Sequence, residues 1–149
     1  MKLTALKISE LKSMIDADSR GRVTEHGCRA YARDANVVDG LFTFSTQCNT
    51  SNSEWTKQIQ FRDWQTIVPL DIDPTTPMLT VFQQYPELLQ LDVMVDCSCP
   101  AFSYWGHKYN LQVQNPGSAL IETTAPGIND PDARFSCKHL AAVYDAFFY

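Results

Sequence analysis

The feature that most constrains this chain is an alternating run that ends in two thiols. Across residues 89–99, Leu89, Leu91, Val93, Val95, Cys97 and Cys99 share one parity, while Gln90, Asp92, Asp96 and Ser98 take the other. Side chains two apart on a strand project to the same face, so an apolar strand face runs directly into Cys97 and Cys99. A second pair, Cys137 and His139, stands where an amphipathic helix opens. From residue 137 or 138 to 149, Leu140, Val143, Tyr144 and Phe147 recur at i, i+3, i+4 and i+7. In mid-helix, residues two apart lie about 200° apart around the axis, so Cys137 and His139 converge only from the helix entrance. Ser136 is the expected cap there, and the positive end of the helix favours a thiolate at Cys137. Three thiolates and one imidazole make a closed tetrahedral donor set of the kind found in structural zinc sites. The competing reading treats the cysteines as small buried hydrophobes and His139 as a helix-turn cap. Strand parity, helix-start placement and ligand count agree independently, and they favour the metal.

The rest of the chain reads as α+β. Residues 7–15 predict one short helix, with Ser9 as cap and Ile8, Leu11, Met14 and Ile15 at helical spacing; residues 16–21, rich in Asp, Ser and Gly, break it. Between Cys28 and Trp64 the period becomes two. Phe42, Phe44 and Thr46 fall on one face, and further on Trp55, Ile59 and Phe61 oppose Thr56, Gln58, Gln60 and Arg62. These predict half-buried strands joined through the polar turn at residues 49–53. Residues 69–77 read as a loop, and Pro77 opens a helix through Gln84 that Tyr85-Pro86 closes. Pro100 ends the thiol-bearing strand, and residues 100–136 form a long Pro- and Gly-punctuated loop. One domain covering 1–149 is expected, built as an antiparallel sheet with an N-terminal helix, that loop, and a C-terminal helix tied to the sheet by zinc.

Composition excludes several functions. Twelve Lys+Arg against 17 Asp+Glu leave a net charge of −5, which argues against a general nucleic-acid binder. No apolar run approaches the roughly 20 residues of a membrane helix. Residues 1–14 alternate Lys with single apolar residues, unlike a signal peptide, so the chain is expected not to be exported and its thiols to stay reduced. Cys28 and Cys48 are accordingly expected as free core thiols, a cross-strand disulfide being the alternative. His26 beside Cys28 raises a second metal pair, and His107 a substitute for His139, each as the minor reading. Asp71, Asp73, Asp92, Asp96, Asp130 and Asp132 read as solvated surface. No phosphate loop, nucleophile elbow or H-E-x-x-H motif is present. Four filled positions leave a zinc ion no site for reactive water, so the chain is expected not to be an enzyme. A thiol-active enzyme using Cys28 or Cys48 is the weakest reading. Aromatics cluster at Phe102, Tyr104, Trp105 and Tyr109 and again at Phe147, Phe148 and Tyr149, as interface anchors or core.

The arrangement Cys97-Ser98-Cys99 followed by Cys137-Lys138-His139 resembles the SWIM zinc finger, C-x-C then C-x-H. Cys97-Ser98-Cys99-Pro100-Ala101-Phe102-Ser103-Tyr104 further resembles a C-S-C-P-x-F-x-Y signature of certain tailed-phage proteins. Those proteins follow it with an N-P loop and a C-K-H-L helix, matched here by Asn115-Pro116 and by Cys137 to Leu140. The resemblance covers roughly the C-terminal third, within a SWIM-like portion 89–149. It implies structural Zn2+ held by Cys97, Cys99, Cys137 and His139. It also implies a virion component of the neck, tail or baseplate, assembled in the host cytoplasm with other virion proteins as partners. The alternative is a nucleic-acid-binding SWIM module of phage replication or host takeover. The spacer is longer than in a compact SWIM module, and its only cations, Lys108 and Arg134, weaken that alternative.

Overall fold

The computed structural model describes residues 4–104, 106–121 and 135–148. Five antiparallel strands form one sheet in the order β1-β5-β4-β3-β2. They are β1 (Leu6–Lys7), β2 (Arg29–Asn36), β3 (Leu41–Cys48), β4 (Ser51–Phe61) and β5 (Asp92–Cys97). The expected α+β class is therefore observed. Register lays the apolar parities side by side: Phe42 faces Ile59, Ile59 faces Val95, and Phe61 faces Val93. One face of the sheet is thus a continuous apolar surface, and all of these side chains are buried.

Among the described residues six α-helices accompany the sheet: α1 (Ile8–Ser13), α2 (Ala17–Glu25), α3 (Met78–Gln84), α4 (Pro100–Tyr104), α5 (His107–Gln114) and α6 (Lys138–Phe147). None of the described helices is long and apolar enough to cross a membrane. The terminal helix α6 covers the apolar sheet face, burying Leu140, Val143 and Tyr144 as its spacing predicts. Phe147 and the following Phe148 lie 5.0 and 6.0 Å from Phe44, ring centre to ring centre, so the aromatic chain end described here is core.

Three local expectations are corrected. The first helix is capped through Glu10, whose carboxylate accepts from the Lys7 amide at 3.0 Å, and Ser9 stays exposed. Residues 16–21 start a helix where a break was expected. Asp16 accepts from the Ser19 amide at 2.6 Å as the cap of α2, and Asp18 pairs with Arg22 four residues on. Polar residues that look like breakers are here a cap and an exposed helix face. The alternating run also begins later than expected, because Pro86–Gln90 is a 3-10 turn and the strand starts at Asp92.

Residues 100–121 carry two helices and a 3-10 turn at Pro116–Ser118 where a loop was expected. Pro100 both ends the strand and opens α4, where its missing N–H costs nothing. Residues 122–134 lie outside the described residues. The helix α5 sits against the polar side of β5, where Lys108 Nζ meets Asp96 Oδ1 at 3.1 Å. Asp96, expected at the surface, is 7% exposed for this reason.

Cys28 and Cys48 form a disulfide, against the expectation of free thiols. The β2–β3 register pairs Arg29 with Gln47, so the next positions outward, Cys28 and Cys48, face each other with Cα atoms 4.1 Å apart. Closing a loop of 20 residues restricts the unfolded chain. The double variant Cys28→Ser/Cys48→Ser is expected to lose about 3 kcal/mol in urea denaturation. Wild-type protein in a reductant strong enough to open the bond should show the same loss.

The β2–β3 turn is fixed by a close approach. Gly40 has φ 75°, and a Cβ there would lie 2.5 Å from the Trp64 ring, whose Nε1–H donates to the Val37 carbonyl at 2.9 Å. Trp64 in turn packs on Phe42, Phe61 and Phe82. Gly40→Ala combines left-handed strain with overpacking, and is expected to destabilise by roughly 2 kcal/mol or more in the same assay.

Candidate metal centre

Cys97 is the last residue of β5, and the pairing persists just beyond it. The Ser98 amide donates to the Thr56 carbonyl at 2.9 Å, and the Thr56 amide donates to the Ser98 hydroxyl at 2.9 Å. Ser98 is thereby held on the polar side, and Cys97 and Cys99 both turn inward. Cys99 is more than a continuation of the strand. Its sulfur accepts from the Phe102 amide at 3.3 Å and its carbonyl from the Ser103 amide at 3.1 Å, so it caps the first turn of α4.

Cys137 occupies the corresponding place on α6. Its backbone is extended, its carbonyl accepts from the Ala141 amide at 3.0 Å, and Lys138 and His139 are the first two helical residues. The helix entrance is what allows two residues of a C-x-H pair to face one point. Two of the three sulfurs therefore sit at helix starts, where exposed amide N–H groups and the helix dipole favour negative charge.

The structure brings all four predicted residues together. The Sγ atoms of Cys97, Cys99 and Cys137 and a ring nitrogen of His139 lie within 4.8 Å of one another, all buried. The Cys97 sulfur is 4.0 Å from His139 Nδ1. Thiolates bound at about 2.3 Å to a tetrahedral ion stand about 3.8 Å apart, so this group matches such an ion after contracting by less than about 1 Å. Donor type, number and spacing thus fit a metal ion, whose coordination four protein ligands would close.

Electrostatics agree with the chemistry of the donor set. Hydrogen bonds from Cys137 and Cys97 hold the Cys99 thiol far below its ordinary range. Burial pushes the Cys97 and Cys137 thiols up. Three sulfurs out of water cannot all be anionic without a cation between them. Two hydroxyls beside them, of Ser136 and Tyr144, are buried with no hydrogen-bond partner among the described residues. Burial raises the Tyr144 hydroxyl above its usual range.

Other residues singled out in the sequence are placed elsewhere. His107 is buried and stacks on Phe102, ring centres 6.4 Å apart, outside the four-atom group. Cys28 is consumed by the disulfide, and the ring of its neighbour His26 meets Lys138 Nζ at 2.8 Å, so they form no second metal pair. Asp71 and Asp73 are exposed and Asp92 is half-buried; Asp130 and Asp132 lie outside the described residues. Among the aromatics, Phe102 is core and Tyr104 is 61% exposed, while Trp105 and Tyr149 lie outside the described residues.

One residue of the site escaped sequence reasoning. Lys57 faces Cys97 across the β4–β5 ladder and is fully buried. The signal was a lysine at the same parity as Trp55, Ile59 and Phe61, on the core side of its strand. Compared with known protein families, with curated proteins and with solved structures, the chain matches none.

The geometry separates the two histidines experimentally. His139→Ala is expected to weaken metal binding by more than about 100-fold, beyond the roughly 10- to 100-fold cost of losing an outer partner. His107→Ala should leave affinity within a few-fold of wild type, both read by competition with a chromogenic chelator.

Proposed function

We propose that Cys97, Cys99, Cys137 and His139 hold one zinc ion in a structural role, and that the chain is a non-enzymatic structural protein making subunit contacts in a tailed-phage virion. The observation that carries the zinc reading is the convergence of four buried soft donors within 4.8 Å, drawn from residues far apart in the chain. Thiolate-rich tetrahedral sets suit zinc, and a closed set supplies folding energy instead of reactive water. The ion joins the end of β5, the start of α4 and the entrance of α6, and so closes the segment 100–136 between them. For comparison, structural zinc contributes about 10–16 kcal/mol of apparent binding free energy in zinc-finger peptides.

The virion reading is supported by the resemblance of residues 97–104 and 137–140 to tailed-phage sequences. It is also supported by exposed apolar residues in the intervening stretch, Tyr104, Val113 and Ile121, which offer contact surface. The net charge of −5 favours protein over nucleic acid as the partner.

Elemental analysis of purified protein should give one zinc per chain. Chelation, or Cys99→Ser, should unfold the β5–α6 region and lower the melting temperature, and lowering the pH should release the ion as protons compete for the thiolates. A metal-free chain that melts like the loaded one contradicts the zinc role. Mass spectrometry of purified particles tests the virion role separately, and absence of the protein from them removes it.

A further inference from the structure

Among the described residues Lys57 is the only lysine or arginine that is buried. It lies on the core side of β4, with Phe44 opposite it on β3 and Cys97 opposite it on β5. Its ammonium donates to the Trp55 carbonyl. One carbonyl does not offset the burial of a full charge, and a lysine so placed is retained only where anionic groups face it. Burial lowers its pKa, and the sulfurs of Cys97, Cys137 and Cys99 act in the opposite direction, followed by the carboxylate of Glu54, which is itself paired with Arg33.

Charge counting identifies what those groups become. Three thiolates, a neutral imidazole and a divalent ion sum to −1, an anion in a buried place. With Lys57 the sum is zero. We infer that Lys57 is the counter-charge of the metal–tristhiolate centre, a positioning residue that brings the buried site to zero net charge when a divalent ion is bound by all three cysteines. This rests on the metal reading above, and it goes beyond it by assigning a fifth residue that is not a ligand. It also explains why a lysine stands on an apolar strand face.

The test uses the full chain loaded with cobalt(II), whose thiolate-to-cobalt charge-transfer band reports on the sulfurs. A positive charge near sulfur lowers the energy of its donor electrons, so removing it shifts the band to longer wavelength. Lys57→Gln keeps an amide donor for the Trp55 carbonyl and removes the charge; Lys57→Arg keeps the charge. The expected result is a red-shifted band and roughly 10- to 100-fold weaker metal binding for Lys57→Gln, with Lys57→Arg within a few-fold of wild type and unshifted. Lys57→Gln with the band and affinity of wild type overturns the counter-charge while leaving the metal site standing. A wild-type chain with no tetrahedral thiolate spectrum overturns both. If Lys57→Gln does not fold even with metal, Lys57→Arg decides: a folded, cobalt-binding arginine variant supports the charge, and loss of fold there too assigns Lys57 to packing alone.

Discussion

Three sulfurs and one ring nitrogen gathered out of water within 4.8 Å set the terms for the C-terminal half of this molecule. Such a group is costly unless something compensates it, since buried thiolates repel and buried thiols leave weak donors without strong acceptors. The surrounding elements can be read as responses to that cost. At the start of α4 the Phe102 amide donates to the Cys99 sulfur, Cys137 occupies the cap position of α6, and β4 places Lys57 opposite Cys97. A strand end, two helix starts and a cross-strand lysine thus meet at one point.

That meeting point also explains the layering. The helix α6 is the cover of the apolar sheet face, and its entrance residues are two members of the Cys3His group. Fixing Cys137 and His139 therefore fixes where Leu140, Val143 and Tyr144 enter the core, and through them where Phe147 and Phe148 meet Phe44. On the other side of β5, Lys108 and Asp96 fasten α5. A single strand, six residues long, carries the Cys97 thiol inward and the Asp96 ion pair outward on alternate positions. The alternation that marks the sequence is the device that separates the two roles.

What could be read in the sequence is what local direction determines. Strand parity writes burial directly, so the inward faces of β3, β4 and β5 and the thiols at the end of β5 were legible. The same holds for α6, whose 3.6-residue period is strong. The convergence of Cys97, Cys99, Cys137 and His139 was legible because each sits where its backbone aims it, at a strand end or a helix entrance. The helix after Asp16 was not, since a cap and an exposed helical face use the same residue types as a loop. The helices within residues 100–121 were hidden by Pro and Gly that start helices and turns as readily as they stop them. The Cys28–Cys48 pair and the burial of Asp96 depend on register and on packing across the sheet, which no local pattern encodes. Lys57 lies between these cases: its parity was visible, and the neighbour that gives its charge a purpose was not.

The cysteines fall into two groups, one disulfide and one buried set of free thiols, that the fold keeps apart. Disulfide formation and metal ligation compete for the same thiolate, so a chain that uses both must prevent exchange between them. Here the separation is topological. Cys28 and Cys48 lie just beyond the Arg29–Gln47 pair that ends the β2–β3 ladder, and the register of that ladder brings the sulfurs together. Cys97, Cys99 and Cys137 are 0–1% exposed around the entrance of α6, and β5, which carries Cys97, lies on the far side of β4 from that ladder. Closed Cys3His coordination takes an odd number of cysteines and a disulfide takes two. Five is the count that satisfies both without leaving a sulfur over, and any variant that frees one member of either set creates a thiol able to attack the other.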